Sequence, residues 1–187
     1  PYTLESPMLV SAMSYGSLGQ NAIRAIARGA ARAGIPMNTG EGGYPKYHLM
    51  EGADIIFQMG TAKFGVRHVN GDLDESALCE LAGNKQIRMI EIKFSQGAKP
   101  GKGGLLPKEK ITPEIAELRG IPMGEDLVSP PFQKECHDAS SSVAFIARLQ
   151  DLVEIPVGIK LCIGPFTGVP HCFREMQSRH RLPAFLT

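Results

Sequence analysis

Four short stretches carry the residues whose types suit chemistry. IEIKFSQGAKPGKGG, residues 90–104, leads an apolar run into a loop that holds Lys93, Gln96, Lys99 and Lys102 among glycines. Ala12, Met13 and Ser14 stand just before Tyr15-Gly16, NTGEGG at residues 38–43 sets Glu41 between glycines, and VGIKLCIG at 157–164 places Lys160 inside a second apolar run. A lysine in a buried strand is costly without an anionic or hydrogen-bonding partner. Lys93 and Lys160 both sit in apolar runs that lead to glycine, which predicts a shared site for a small anion, with bare backbone allowing close approach.

Each stretch also has a plainer reading. A single lysine at a strand end is commonly solvated, and Lys102 reads as a solvated loop residue. NTGEGG alone is a turn whose glycines supply positive φ, and Glu41 would then be a loop carboxylate. The glycine-lysine loop does not match a Walker A phosphate loop: Gly97 and the Gly101-Lys102 pair are one residue too close, and Gly103 follows where Ser or Thr is needed. No G-x-G-x-x-G fingerprint is present. His48, His68, His137, His171 and His180 lack HExxH or triad spacing and read as surface or packing residues. Cys79, Cys136, Cys162 and Cys172 form no C-x-x-C pair and read as small buried hydrophobes rather than metal ligands or disulfides.

The elements that must position these residues alternate along the chain. SPMLVSAMSYGS (6–17) reads as a strand, and a helix follows, opened by a Ser17/Gln20 capping box and stopped by Gly34. IPMN (35–38), ADIIFQMG (53–60), QIRMIEIKF (86–94, with apolar alternation) and VGIKLCIG read as further strands. Helices are expected over LDESALCELAG to Gly83, over ITPEIAELRG with Thr112 as N-cap and Pro113 in the first turn, and over SSVAFIARLQDLVE, opened by Asp138 or Ser140. A last helix is expected around HCFREMQSRH, with an apolar AFLT at 184–187.

Strands followed by glycine-rich sequence and then helices indicate an α/β fold, with the ligand site at the strand ends. A (β/α)8 barrel commonly needs about 250 residues, so 187 residues would make an incomplete one; a doubly wound sheet is the competing architecture. A formal charge of +1 with acids and bases interspersed offers no footprint for nucleic acid or an anionic membrane. No apolar run approaches the roughly 18 residues of a membrane span, and the first residues lack signal-peptide character. A single domain over residues 1–187, in the cytoplasm, is the expectation.

Taken in order, MSYGSL, MNTGEGGYPKYHL, IEIKFSQGAKPGKGGLLPKEKITPEIAELRGIPMG, LVSPP and PVGIKLCIG resemble the FMN-binding domain of glutamate synthase, especially its short glutamate-synthase-like forms. The resemblance runs from about residue 6 to 164. It implies a (β/α)8 TIM-barrel type of fold, incomplete at the C-terminus, with FMN over the C-terminal ends of the strands. The implied reaction is hydride transfer from reduced FMN to 2-iminoglutarate, formed from 2-oxoglutarate and ammonia, to give L-glutamate. Ala12, Met13 and Ser14 would lie against the flavin and Lys160 near its pyrimidine end. Glu41 and Lys93 would be catalytic, Glu41 relaying protons or communicating with ammonia delivery, while Lys93, Gln96 and Lys99 would hold the 2-oxoglutarate. An electron donor, a glutaminase or reductase subunit, and self-association are the implied partners.

The sequence also departs from the pattern. It has no cysteine cluster for an iron–sulfur centre, Pro1 cannot serve as a glutaminase nucleophile, GPFTGVPHCFREMQSRH fits poorly, and the family's flavin-phosphate strand end would follow AFLT. Two other readings therefore stand beside the first. One is a non-catalytic barrel fragment that pairs with another subunit or a second copy; the other is a flavin oxidoreductase for a different oxo or amino acid.

Overall fold

The computed structural model describes residues 2–95, 101–162 and 168–187. Helix α1, Gln20–Ala33, buries Ile23, Ala27 and Ala30 along one stripe and ends at Gly34, whose φ of 64° lets its N–H return to the carbonyls of Ala30 and Ala31. The Ser17/Gln20 capping box does not form. Ser17 and Leu18 instead donate to the Ser14 carbonyl in a tight turn, and the helix starts later with Gly19 as N-cap and no side-chain cap.

Strands β1 (Met37–Asn38), β2 (Ile55–Met59) and β3 (Ile87–Lys93) follow, with α2 (Glu75–Ala82) preceding β3 behind an Asp74 cap at 3.0 Å. Next come β4 (Leu105–Leu106), α3 (Pro113–Arg119), β5 (Leu127–Val128), α4 (Ala139–Leu152), β6 (Val157–Lys160) and α5 (Gly168–Ser178). Thr112 caps α3 and Gly120 ends it at φ 60°, while Asp138 and Ser141 form a reciprocal capping box on α4. These local signals are legible because a cap uses only neighbouring residues.

The main sheet is parallel with order β1-β2-β3-β6. Its rim is extended on one side by Val10, bridged to Met37, and on the other by residues 184–187 beside β6. The expected first strand is thus reduced to a bridge at Val10. Strand order follows chain order and never reverses, whereas a doubly wound sheet reverses at its switch point. The described residues form an α/β arc compatible with part of a barrel, and a closed barrel is not seen among them.

Apart from half-buried Arg88, every β3 residue is buried, so the strand is covered on both faces as parallel sheets are. Helices α1, α2 and α4 contact β1, β3 and β6 respectively. The β4–β5 antiparallel pair is an addition that two-residue strands could not announce through periodicity. The cysteines correct the expectation of burial: Cys79 and Cys162 are exposed and Cys136 and Cys172 are half-buried. On α2, burying Leu78 and Leu81 turns Cys79 outward.

Gly158 makes room for the last strand. A Cβ there would lie 2.5 Å from the Phe185 ring, so Gly158→Ala is expected to displace Phe185 at a cost of about 1–3 kcal/mol. Hydrogen exchange should then speed up at the Ala184 and Thr187 amides, which donate to Val157 and Ile159. Unchanged exchange and stability would refute this packing account.

Candidate functional site

At the C-terminal ends of the parallel strands lies a cavity of about 450 Å³, lined by Ala12, Met13, Ser14, Glu41, Lys93 and Lys160, with Gly40 and Gln58. The structure thus brings the six described candidates to one place. Gln96 and Lys99 lie outside the described residues.

Local chemistry explains the placement. Lys93 and Lys160 are register partners as the last residues of β3 and β6, so their side chains leave neighbouring strand ends. Beyond β1, the Asn38 side chain accepts from the Gly40 N–H at 2.9 Å, which closes a turn that Gly40 enters at φ 68°. A Cβ at Gly40 would reach within 2.6 Å of the Ser14 nitrogen, so only glycine lets these two loops touch. The Ser14 hydroxyl then accepts from the Glu41 N–H at 3.1 Å. Gly60 completes the seat, because a Cβ there would lie 2.6 Å from that of Glu41.

Glu41 Oε2 stands 2.9 Å from Lys93 Nζ, with side-chain exposures of 22% and 10%. The anion that a buried Lys93 requires is therefore supplied by the chain itself. Lys160 is only half-buried and fits either a solvated end or a ligand contact. Lys102 is exposed.

Sequence reasoning passed over Arg119. It is 6% exposed, donates to the Tyr15 carbonyl at 2.8 Å and lies over the Phe64 ring at 5.0 Å, while its Nε has no hydrogen-bond partner among the described residues. Burial lowers its pKa from the ordinary guanidinium value, and the nearby Glu41 charge opposes that shift. Arg119 lines a second cavity of about 60 Å³ that shares Ser14, Ser17 and Glu41 with the first. An arginine in the last turn before Gly120 reads as a dipole complement, which hid its inward direction. Gln58, which lines the cavity, and the buried Glu91 and Asn38 hydrogen-bonded behind it were also passed over; a lone Gln in ADIIFQMG and a Glu amid IEIK were the available signals.

Among the described residues, no group of three or more His, Cys, Asp or Glu is placed to hold a metal ion. None of the helices among them is long and apolar enough to cross a membrane.

Comparison with known proteins places this cavity in context. The family described as "Conserved region in glutamate synthase" matches residues 1–175. The glutamate synthase large subunit-like protein YerD of Bacillus subtilis is 39% identical over 193 residues, covering 100% of this chain and 37% of that protein. The archaeal-type glutamate synthase [NADPH] of Thermotoga sp. strain RQ2 is 42% identical over 161 residues, covering 84% of this chain and 29% of the relative. The archaeal glutamate synthase [NADPH] of Archaeoglobus fulgidus is 38% identical over 160 residues with the same coverage, 84% and 29%. The chain spans only about a third of the length of these relatives. A family match across nearly all of its residues, with identities near 40%, shows that it belongs to the glutamate synthase family.

Proposed function

We propose that this chain forms the flavin- and substrate-binding face of an FMN-dependent glutamate synthase that reduces 2-iminoglutarate, made from 2-oxoglutarate and ammonia, to L-glutamate. The observation that carries this reading is the meeting of Glu41, Lys93 and Lys160 in one cavity at the strand ends, in a member of this family. The residues present fit a flavin ring. The cavity volume lies within the roughly 300–1,000 Å³ of small-molecule sites, Ala12, Ser14 and Gly40 offer a wall of small groups, and Lys160 offers a cation.

When bound, FMN supplies the hydride. Lys160 would stabilise negative charge at the pyrimidine end of the ring, the lever by which a protein tunes this cofactor. Lys93, paired with Glu41, and Arg119, which lines the second cavity together with Glu41, would take the carboxylates of 2-oxoglutarate through charge-assisted hydrogen bonds; Gln96 and Lys99 are proposed for the same substrate. Glu41 Oε2, already in contact with Lys93 Nζ, is the atom proposed to hold the proton that the imine nitrogen needs as hydride reaches its carbon. Ammonia from a glutaminase and reducing equivalents from NADPH, the donor in the Thermotoga and Archaeoglobus relatives' names, are proposed inputs.

Titrating the chain with FMN and following flavin fluorescence should show saturable binding, weakened about tenfold or more by Lys160→Ala, in line with loss of a charged hydrogen bond. Glutamate should then form from 2-oxoglutarate, ammonium and chemically reduced FMN. Absence of saturable FMN binding would sink the reading.

A further inference from the structure

Building on the flavin reading, we propose that Glu91 locks the Gln58 amide so that the cavity presents a hydrogen-bond acceptor there, which selects a ring offering an N–H at that point. Gln58 and Glu91 are register partners on β2 and β3, and are 2% and 1% exposed. Asn38 Oδ1 is already committed to the Gly40 N–H at 2.9 Å. Its Nδ2 must therefore be the atom that donates to Glu91 Oε1, at 3.0 Å. Glu91 Oε1 is thus an acceptor, and the Gln58 amide atom 2.5 Å from the same oxygen must be its donor, Nε2. The other carboxylate oxygen accepts from the Thr187 hydroxyl, also at 2.5 Å.

With Nε2 turned to Glu91, Oε1 is the amide atom that Gln58 has left for the cavity wall it lines. A free glutamine is ambiguous between donor and acceptor, because its amide can flip. Here the Asn38–Glu91 pair removes the ambiguity. The pyrimidine edge of an isoalloxazine reads carbonyl, N3–H, carbonyl, which calls for an acceptor flanked by donors. Gln58 Oε1 supplies the acceptor, and Lys160 is a donor lining the same cavity. Glu91 acts through Gln58 and is a positioning residue. A buried acceptor left without its N–H rejects the wrong ligand, because its desolvation is uncompensated.

The test compares FMN with 3-methyl-FMN, which lacks the N3–H, by fluorescence titration of the full chain. The wild type is expected to bind 3-methyl-FMN about tenfold or more weakly than FMN. Both Glu91→Gln, which frees the Gln58 amide to flip, and Gln58→Leu, which removes the acceptor, should bring the two flavins to within about threefold of each other, with circular dichroism and thermal melting reporting the fold. Saturable FMN binding with equal affinity for the methylated flavin overturns the inference and leaves the flavin reading standing. No FMN binding overturns both. A folded Glu91→Gln that keeps the wild-type ratio overturns the positioning role, and should that variant not fold, wild-type discrimination in Gln58→Leu overturns the acceptor itself.

Discussion

Lys93→Met is expected to destabilise the chain by about 2 kcal/mol, the loss of one charge-assisted hydrogen bond. Methionine retains most of the apolar stem that packs in β3, so lost volume contributes little. What it removes is the ammonium 2.9 Å from Glu41 Oε2. Breaking a buried pair costs about 3–5 kcal/mol where the charge left behind is uncompensated; Glu41 keeps further interactions and its side chain is 22% exposed, which place this case below that range. Glu41 has little room to turn away, since Gly60 and Ser14 hold its backbone and Cβ. Urea denaturation checks the effect. The double variant Lys93→Met/Glu41→Gln should recover a large part of the loss, because no carboxylate then lacks its ammonium. A single variant within about 0.5 kcal/mol of wild type, the range of ordinary surface changes, would show that the pair is solvated and that Glu41 is free to move. In the proposed reaction the same substitution also removes a substrate cation, so glutamate formation should fall even where folded protein persists.

That pair shows where sequence reading succeeds and where it stops. Both residue types were visible as candidates, yet Glu41 and Lys93 are 52 positions apart, and their partnership depends on the register of three strands that no local signal encodes. Caps at Asp138, Thr112 and Gly34 needed only their immediate neighbours and were readable. The Ser17/Gln20 box also looked local, but the turn around Ser14 that positions this candidate residue consumed Ser17 first. Strands of two residues, such as Leu105–Leu106 and Leu127–Val128, leave no period to detect. Choosing between a barrel arc and a doubly wound sheet required strand order, a non-local fact. Arg119 and Gln58 escaped because each has an ordinary role that its neighbours suggest, a helix end and a polar interruption of a strand. Their inward direction appears only once α3 and β2 are packed.

His48 sets the pH behaviour expected of the fold. The sequence suggested a surface or packing role, and packing is what the structure shows: His48 is fully buried in the 3₁₀ turn Lys46–His48 beside α1. Its backbone N–H donates to the Pro45 carbonyl, while neither ring nitrogen has a hydrogen-bond partner among the described residues. Burial disfavours the imidazolium and pushes the pKa from 6.5 down to about 4. Between those two values the unfolded chain binds a proton that the native chain refuses, so stability rises with pH across this window and is lost on acidification. The full contribution is present above pH 6.5. About 2 kcal/mol should be gone by pH 5 and about 3 kcal/mol near pH 4. Glu51, Asp72, Glu114 and Asp138 are held below their ordinary values by Arg28 and Arg24, Lys134, the Tyr15 and Tyr47 hydroxyls, and Ser141 respectively. Their contributions are lost only as pH falls below the ordinary carboxylate range, which leaves pH 6.5 to 5 as the interval in which His48 dominates. Urea denaturation at half-unit pH steps should show this slope in the wild type and a nearly flat line in His48→Leu, which fills the site without a titrating group. A slope that survives the substitution would assign the acid sensitivity to other groups and imply that His48 is protonated, or hydrated, within the native fold.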